Sequence, residues 1–266
     1  MSILPSPAAL AEVFRHKYGP PEACGDGPRQ RWRHGYFNPD DWYEATLLGL
    51  VQPDTVWLDV GCGRELFPSN RPLAGLLAAR CKRLVGVDPD PTLQENPFVH
   101  EKVAALFDTW DGGRRFDLVT LRMVAEHVAD PARFVAAVGR ALAPGGRVVV
   151  YTVNRWSPVP LLTALVPFRL RHPIKRFLWR TEAKDTFPTA FRMNTRARLA
   201  ALFAAIGCRE EAFARLDDCR ALGRFALGRG LELGLWRLLR ACGLGYPEAC
   251  LLGVYRAPLQ PAPHPA

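Results

Sequence analysis

The sequence predicts an α/β fold organised around a doubly wound, mostly parallel sheet of seven strands. The first observation is that short apolar, β-branched runs alternate with helical patterns from Thr55 to Val153. The second is that the first two of these runs end in turn-forming residues, Gly61 to Gly63 and Asp88 to Asp90. Strands that alternate with helices form parallel sheets covered by helices on both faces, which supports the doubly wound arrangement.

Helices are predicted ahead of the first strand. A short helix is expected from Pro7 to Lys17, and a Pro- and Gly-rich connecting loop from Gly19 to Gly27. Asp40 or Asp41 is placed to cap a further helix that runs through Leu50. This part of the chain is therefore expected to be a helical extension of the sheet.

Seven apolar runs predict the strands, and they share a length and a β-branched content typical of buried strands. They are Thr55 to Val60, Arg83 to Val87, Phe98 to Ala104, Phe116 to Leu121, Arg147 to Val153, Cys208 to Leu216 and Ala249 to Tyr255. Helical patterns with capping signals fall between them. They are Arg71 to Arg80, Pro131 to Leu142, Thr195 to Ile206 and Arg220 to Cys242. A turn is predicted at Ala143 to Gly146, directly before the fifth strand.

The alternation of strands and helices, interrupted after residue 154, predicts one domain with an insertion. We expect a helical extension over 1–54, a ligand-binding core over 55–154 and a cap over 155–194. The cap segment is rich in proline, aromatic residues and arginine and follows no clear helical or strand period. Residues 195–257 are expected to complete the same domain, and 258–266 to form a Pro-rich tail.

The positive charge is local. The chain has a formal net charge of +9, and ten Lys/Arg stand against two Asp/Glu between Arg155 and Arg198. That segment therefore carries +8 and the rest only +1, so the basicity belongs to one face or one cap. Its arginines suit a carboxylate, phosphate or diphosphate group.

Seven scattered cysteines, an odd number without metal-ligand spacing, are expected to be reduced thiols and to bind no metal. No leader pattern and no run of about 18 apolar residues is present, so a cytoplasmic protein is expected.

The candidate site lies where strands end. In an open parallel sheet, ligands bind at the carboxyl ends of the strands near the point where strand order reverses. Gly61 and Gly63 permit a tight turn and close approach of a ligand to the main chain. Asp59 can accept a hydrogen bond from an ammonium group, and Asp88 offers two oxygens to the hydroxyls of a ribose.

Taken in order, these motifs make the chain resemble the class I, Rossmann-like S-adenosylmethionine-dependent methyltransferases, specifically the small-molecule branch. The resemblance covers roughly Thr55 to Val153. The matching segments are LDVGCG (Leu58 to Gly63), VGVDPD (Val85 to Asp90), FDLV (Phe116 to Val119), EHVADP (Glu126 to Pro131) and APGGRVVV (Ala143 to Val150).

The resemblance implies a fold, a cofactor and roles for residues. It implies that S-adenosyl-L-methionine is the cofactor, S-adenosyl-L-homocysteine the product, and the last two strands an antiparallel hairpin. By the same resemblance Gly61 and Gly63 let the methionine part of the cofactor pass close to the main chain, and Asp88 holds the ribose. The resemblance also implies that Arg122 and Met123 line the cofactor.

The chain departs from the family pattern at two points. Glu65 stands where a third glycine is often found. No acidic residue is evident for the adenine amine, although Glu101 and Lys102 occupy that neighbourhood.

Two alternatives of other classes stay open at this stage. A nicotinamide-dependent oxidoreductase also needs an acidic residue after the second strand, but its G-x-G-x-x-G fingerprint would place glycine where Leu66 stands. A non-catalytic Rossmann-like protein would keep the fold and use its basic face to bind a membrane or a partner. Intact Asp59, Gly61, Gly63 and Asp88 argue against it.

Methyl transfer to oxygen or nitrogen depends mainly on alignment, and a base is needed only where the nucleophile must lose a proton. His127 follows the fourth strand and is the predicted base, with His172 and Asp185 as weaker candidates. The competing interpretation is that Glu126 and His127 only begin or orient the next helix.

The predicted acceptor is a small or carrier-linked molecule that is methylated on oxygen. The sequence does not decide whether the acceptor carries an anionic group. The cap aromatics can enclose an apolar or ring-shaped portion of the acceptor. They are Trp156, Phe168, Trp179 and Phe187. An apolar wedge at Pro158 to Phe168 with a basic flank is equally suited to peripheral membrane contact. A third interpretation is that the segment is a solvated Arg-rich face that binds no ligand.

A nucleic acid is not expected as the acceptor, although phosphate contacts would also explain a basic cap. The fourth strand ends in Leu121 to Val124, without the box that clamps a flipped base.

Overall fold

The computed structural model describes residues 3–113, 115–157, 189–220, 222 and 225–259. Helix α1 (Pro7–Tyr18) begins where the Ser6 hydroxyl accepts a hydrogen bond from the Ala9 amide, and it ends at Gly19 with φ of 76°. The predicted first helix is confirmed to within one residue. Helix α3 (Pro39–Leu50) is capped by Asn38 and not by the predicted Asp40 or Asp41, because the helix begins one residue before Asp40; the Asn38 amide donates to the Asp41 carboxylate at 2.8 Å.

Helix α2 (Asp26–His34) was not expected from the sequence. Its segment reads DGPRQRWRH, with Trp32 as its one large apolar side chain, so it shows no apolar period. The helix is stabilised instead by its neighbours: Trp32 packs on Phe14 of α1 with ring centroids 5.0 Å apart. Tertiary contacts here override a weak local signal.

The seven strands form one sheet in the order β3-β2-β1-β4-β5-β7-β6. Their bounds are β1 Val56–Val60, β2 Arg83–Val87, β3 Glu101–Val103, β4 Phe116–Arg122, β5 Leu142–Val153, β6 Arg209–Asp217 and β7 Glu248–Arg256. The first five strands are parallel, whereas β7 pairs antiparallel with both β5 and β6. The predicted α/β sheet of seven strands with a C-terminal antiparallel hairpin is confirmed.

The helices that follow the strands are α4 (Arg71–Arg80), α5 (Pro131–Ala141), α6 (Arg196–Ala205) and α7 (Ala226–Ala241). Single-turn 3₁₀ helices lie at Pro91–Glu95 and Phe107–Thr109. The Thr195 hydroxyl caps α6 by accepting from the Arg198 amide, as the sequence predicts.

The core has two layers because alternate strand residues point to opposite faces of the sheet. Leu58 and Val119 face α5 and α6, whereas Trp57, Leu118 and Tyr151 face α1, α3 and α4. The residues of the N-terminal segment are therefore part of the second core layer. Asp59 shares the parity of Trp57, so its side chain lies on the α3 side of the sheet.

Three predicted boundaries were wrong. β3 is only three residues long, because the Phe98 amide donates to the Asn96 side chain and pairing with β2 begins only at Glu101. Helix α7 begins at Ala226 rather than Arg220, because the Leu222 amide donates to the Glu232 carboxylate and the Phe225 amide to the Leu222 carbonyl, which are contacts of a turn before the helix. The predicted turn at Ala143 to Gly146 is a bulge inside β5: Leu142 pairs with Phe116 and Arg147 already pairs with Leu118.

Across the described ranges, none of the helices combines the length and the apolar content needed to cross a bilayer.

Candidate functional site

Strand order reverses between β1 and β4, which are adjacent in the sheet but far apart in the chain. The two strands leave a crevice at their carboxyl ends, where ligands of open α/β sheets bind. Ten residues, 61–70, connect β1 to α4 and line this edge. The sequence-predicted glycines and acidic residues lie on or beside that loop.

Gly61 must be glycine at this position for two reasons. Its φ is 69°, in the left-handed region that side chains disfavour. A Cβ placed there would also overlap the Val124 side chain, which follows β4. Its amide donates to the Val87 carbonyl of β2 at 2.8 Å, which ties the start of the loop to the end of β2.

Asp88 joins the glycine loop to the next strand. Its Oδ2 accepts the Gly63 amide at 2.8 Å, and its Oδ1 accepts the Asp90 amide at 2.8 Å. Each carboxylate oxygen has two lone-pair positions, so each keeps one for a further donor. Gly63 itself has φ of 46°, and Asp88 is 9% exposed.

Asn96 is a site residue that sequence reasoning missed. It is fully buried, and its Nδ2 donates to the carbonyls of Gly63 at 3.0 Å and Cys62 at 3.4 Å. Its Oδ1 accepts the Phe98 amide at 3.1 Å. The residue lies in a polar, proline-containing stretch that predicts only a loop, so no sequence pattern pointed to its role.

Asp59 is buried on the α3 side of the edge, with 3% exposure. Its Oδ1 accepts the Thr120 hydroxyl of β4 at 2.5 Å, and the Trp57 indole donates to the same hydroxyl at 2.8 Å. Burial raises the pKa of Asp59 to about 7, although Thr120 and Arg122 oppose the shift. A nearby cation would favour the ionised form of this carboxyl group.

Arg122 and Met123 follow β4 at the same edge. The Arg122 guanidinium donates to Asp40 Oδ1 at 3.2 Å, and Arg220 Nη1 donates to Asp40 Oδ2 at 3.0 Å. These two arginines hold the pKa of Asp40 below its usual range against the effect of burial. Met123 has φ of 53°, and its amide donates to the Tyr151 carbonyl at 2.7 Å. The sequence predicts Asp40 only as a helix cap and assigns no role to Arg220.

A cavity of about 470 Å³ opens on the other side of the glycine loop. Its wall is mainly apolar and combines the ends of β1 and β2, the loop after β3 and the start of α5. Gly61, Pro89, Leu106, Val124 and His127 are among the lining residues. The structure thus brings half-buried His127 to the wall of this cavity, on the opposite side of the loop from the Asp40–Arg122 pair.

The two residues weighed for the adenine amine point elsewhere. Glu101 forms an ion pair with Arg83, and the Lys102 ammonium donates to the Gln94 carbonyl at 2.7 Å. Two acidic residues line the cavity, Asp108 and Asp130. Asp108 forms an ion pair with Arg133 at 3.1 Å.

The predicted cap falls mostly outside the described residues. His172, Asp185, Phe168, Trp179 and Phe187 are not among them. Trp156, which is described, is 66% exposed just after β5.

The edge suits a ligand with an apolar ring and a polar, hydroxylated middle. Gly61 forms a cradle that a Cβ would fill, the Asp88 oxygens keep free lone pairs, and the apolar cavity adjoins both. A dinucleotide fits less well. Leu66, at the third fingerprint position, is 2% exposed in the core, and ten residues separate β1 from the helix that would face a pyrophosphate.

Comparisons with known proteins agree with this geometry. A family model described as "Methyltransferase domain" matches residues 32–211. A ubiquinone biosynthesis O-methyltransferase of Psychrobacter cryohalolentis is 34% identical over 148 residues, which are 50% of this chain and 53% of that protein. One of the same name from Methylobacterium is 36% identical over 107 residues, 37% of this chain and 41% of its own length. The chain spans about half the length of the curated relatives it matches.

Solved structures share the fold. A Haloferax volcanii protein solved in complex with the Trm112 methyltransferase activator superposes with a TM-score of 0.52 at 17% identity. The match covers 87% of this chain and 93% of that one. The strand order, the glycine loop at the switch point and the family match over two thirds of the residues agree, and the chain belongs to the class I S-adenosylmethionine-dependent methyltransferase family.

Proposed function

We propose that this protein transfers a methyl group from S-adenosyl-L-methionine to an oxygen atom of a small-molecule or carrier-linked acceptor. The observation that carries the proposal is Asp88. Its carboxylate is fixed by the Gly63 and Asp90 amides beside the apolar cavity and keeps lone pairs for two more donors. The names of the curated relatives, ubiquinone biosynthesis O-methyltransferases, support oxygen as the acceptor atom.

Each residue at the edge has a role in the proposed complex. Asp88 accepts the ribose hydroxyls, and the apolar cavity that contains Pro89 and Leu106 holds the adenine. Gly61 and Gly63 let the methionine part pass close to the main chain. Asp59 accepts the ammonium group, and Arg122 and Met123 line the cofactor after β4.

The bound cofactor supplies a methyl group on a positively charged sulfur. The protein then has to align an oxygen lone pair with that group and to remove the hydroxyl proton. His127 is the proposed base, because an imidazole nitrogen can accept a proton and the residue follows β4 at the wall of the cavity. Residues 155–194 are proposed to cover the acceptor as an insertion in a single domain, with their arginines available to an anionic group on it.

Calorimetric titration tests the proposal directly. We expect S-adenosyl-L-methionine and S-adenosyl-L-homocysteine to bind with micromolar affinity and NAD to release no heat. Transfer of a labelled methyl group to a panel of phenols, carboxylates and amines then identifies the acceptor atom. Binding without transfer to any acceptor class would favour a non-catalytic protein, and binding of NAD alone would favour an oxidoreductase.

A further inference from the structure

Helix α7 (Ala226–Ala241) presents a row of leucines to solvent. Leu227, Leu231, Leu235 and Leu238 are 86%, 73%, 50% and 60% exposed. Their spacing of four, four and three residues places them on one side of a helix. We call these four residues the leucine stripe. A contiguous exposed apolar row of this kind is uncommon on a soluble surface and marks an interaction site.

The orientation of α7 is fixed by its polar side. Trp236 donates from its indole to Asp217 at 2.9 Å, and buried Glu232 accepts the Tyr246 hydroxyl at 2.8 Å. Arg229 donates to Asp26 of α2 at 2.6 Å. Turning the leucine stripe inward would break all three contacts, so the exposed leucines belong to the folded helix and not to a loosely attached one.

The surroundings of the stripe are positively charged. Helix α7 carries Arg229, Arg237 and Arg240 against one acid, Glu232, which is a net +2. Helix α2, which packs against α7, carries three arginines against Asp26, also a net +2. Arg237 of α7 and Arg33 of α2 are exposed. The two helices together bring +4 to the neighbourhood of an apolar row.

We propose that α7 docks this protein on an anionic lipid surface, with the leucine stripe inserted at the headgroup boundary and the flanking arginines near lipid phosphates. An amphipathic helix with leucines on one face and arginines beside them has the composition of such interfacial helices. The inference does not depend on the methyl-transfer proposal, because none of the four leucines is among the residues assigned to the cofactor or the acceptor.

A second copy of this chain fits the stripe less well. A stable interface between proteins uses about 20 to 30 residues on each side, whereas one face of a helix of 16 residues supplies far fewer. Two copies would also bring surfaces of the same positive charge together.

Co-sedimentation with lipid vesicles tests the proposal. The probes are phosphatidylcholine vesicles and vesicles with an equal part of phosphatidylglycerol. The full chain should bind the anionic vesicles, and added salt should weaken binding. The double variant Leu231→Ser/Leu238→Ser should bind them at least about tenfold more weakly, because two apolar anchors are lost. Leu259→Ser is the matched control, since Leu259 is 75% exposed away from α7 and its loss should leave vesicle binding unchanged.

Both variants should keep the circular dichroism and melting temperature of the wild type, because the substituted side chains face solvent. Equal vesicle binding by the double variant and the wild type would overturn the proposal. So would equal binding to neutral and anionic vesicles. A concentration-dependent dimer that the double variant abolishes, without vesicle binding, would overturn it in favour of a second copy.

Discussion

At the scale of single residues, the site depends on side chains whose hydrogen bonds serve both the fold and the ligand. Asp88 fixes the Gly63 amide and still offers lone pairs, and Asn96 fixes the Gly63 carbonyl. Gly63 is thus held through both its amide and its carbonyl group. Substitutions here are expected to change binding and loop geometry together.

Replacing Asp88 with alanine should weaken binding of S-adenosyl-L-homocysteine by about 1.5 to 3 kcal/mol, the scale of hydrogen bonds to a charged group. Calorimetry measures the change. Asp90→Ala is the matched control, because it removes a carboxylate two positions away whose Oδ1 accepts the local Thr92 amide. Unchanged affinity in Asp88→Ala would remove Asp88 from the site.

The proposed role of His127 makes a separable prediction. If His127 is the base, His127→Ala should lower kcat by about 10²- to 10⁴-fold and leave S-adenosyl-L-homocysteine affinity nearly unchanged. His16→Ala, on the first helix, should change neither. Retained kcat with weakened cofactor affinity would instead make His127 a wall residue of the cavity it lines.

At the scale of elements, the turn after β1 and the packing of the N-terminal helices can be tested apart from each other. The turn needs a glycine at Gly61, whereas α1, α3 and α4 are joined by a buried polar network. Lys17 of α1 donates to Asp41 at 2.9 Å and Glu44 at 3.2 Å, both of α3. Asn70, the cap of α4, donates to the other oxygen of Glu44 at 2.7 Å.

Gly61→Ala should weaken cofactor binding strongly and destabilise the fold by more than Gly35→Ala. Both glycines have positive φ, at 69° and 67°, so both substitutions bear the left-handed strain of about 1 to 2 kcal/mol. Val124 lies in the way of a Cβ at Gly61, whereas nothing lies within 4 Å of a Cβ at Gly35. Chemical unfolding of the two variants isolates the effect of the overlap with Val124. Equal losses of stability in the two variants would contradict a role for that overlap.

Lys17→Met should destabilise the protein by about 3 to 5 kcal/mol, because it leaves two buried carboxylates without their cation. The Lys17 side chain is only 1% exposed in this pair. Arg196→Met is the matched control on an exposed ion pair with Glu210, and it should leave the melting temperature nearly unchanged. Equal effects in the two variants would mean that the buried network adds nothing to stability.

At the scale of the whole molecule, the sequence predicted the parts of the fold that depend on local periodicity. Strands such as β1 and β2 are short, apolar and followed by glycine or aspartate. Their positions along the chain and the residues at their carboxyl ends could therefore be predicted from the sequence. The sheet and its antiparallel hairpin are confirmed. The same logic placed Gly61, Gly63 and Asp88 at one edge.

The parts that could not be predicted depend on contacts between distant residues. Helix α2 has no apolar period, and Asn96 lies in a segment that looks like a surface loop. The partners Asp40 and Arg220 are 180 positions apart, and no local pattern joins them. Long-range pairing of this kind is fixed only when the strands of the sheet have paired and the helices have packed on it.

Asp59 and Glu44 are two of the buried acids that shape the pH dependence of the molecule, and burial also raises the pKa of Glu126 and of Asp217. Burial raises the pKa of Asp59 and of Glu44 to about 7 in each case, from ordinary values of 3.8 and 4.5. The folded protein therefore binds more protons than the unfolded chain between about pH 4 and pH 7, so the free energy of unfolding should fall as pH rises through this window. Arg122 and Arg220 lower the pKa of Asp40, so the protonation of Asp40 affects the free energy of unfolding only below this pH window.

Urea unfolding from about pH 4.5 to pH 8 measures this fall in the free energy of unfolding, which should be on the order of 5 kcal/mol for the two groups together. Asp59→Asn and Glu44→Gln remove one titrating group each, so each variant should flatten the profile and lose less stability on the alkaline side. Because a side-chain amide cannot become an anion, Asp59→Asn should also bind S-adenosyl-L-homocysteine more weakly, whereas Glu44→Gln should not. A wild-type profile that rises over the window would show that both carboxyl groups ionise in the folded protein at ordinary pH.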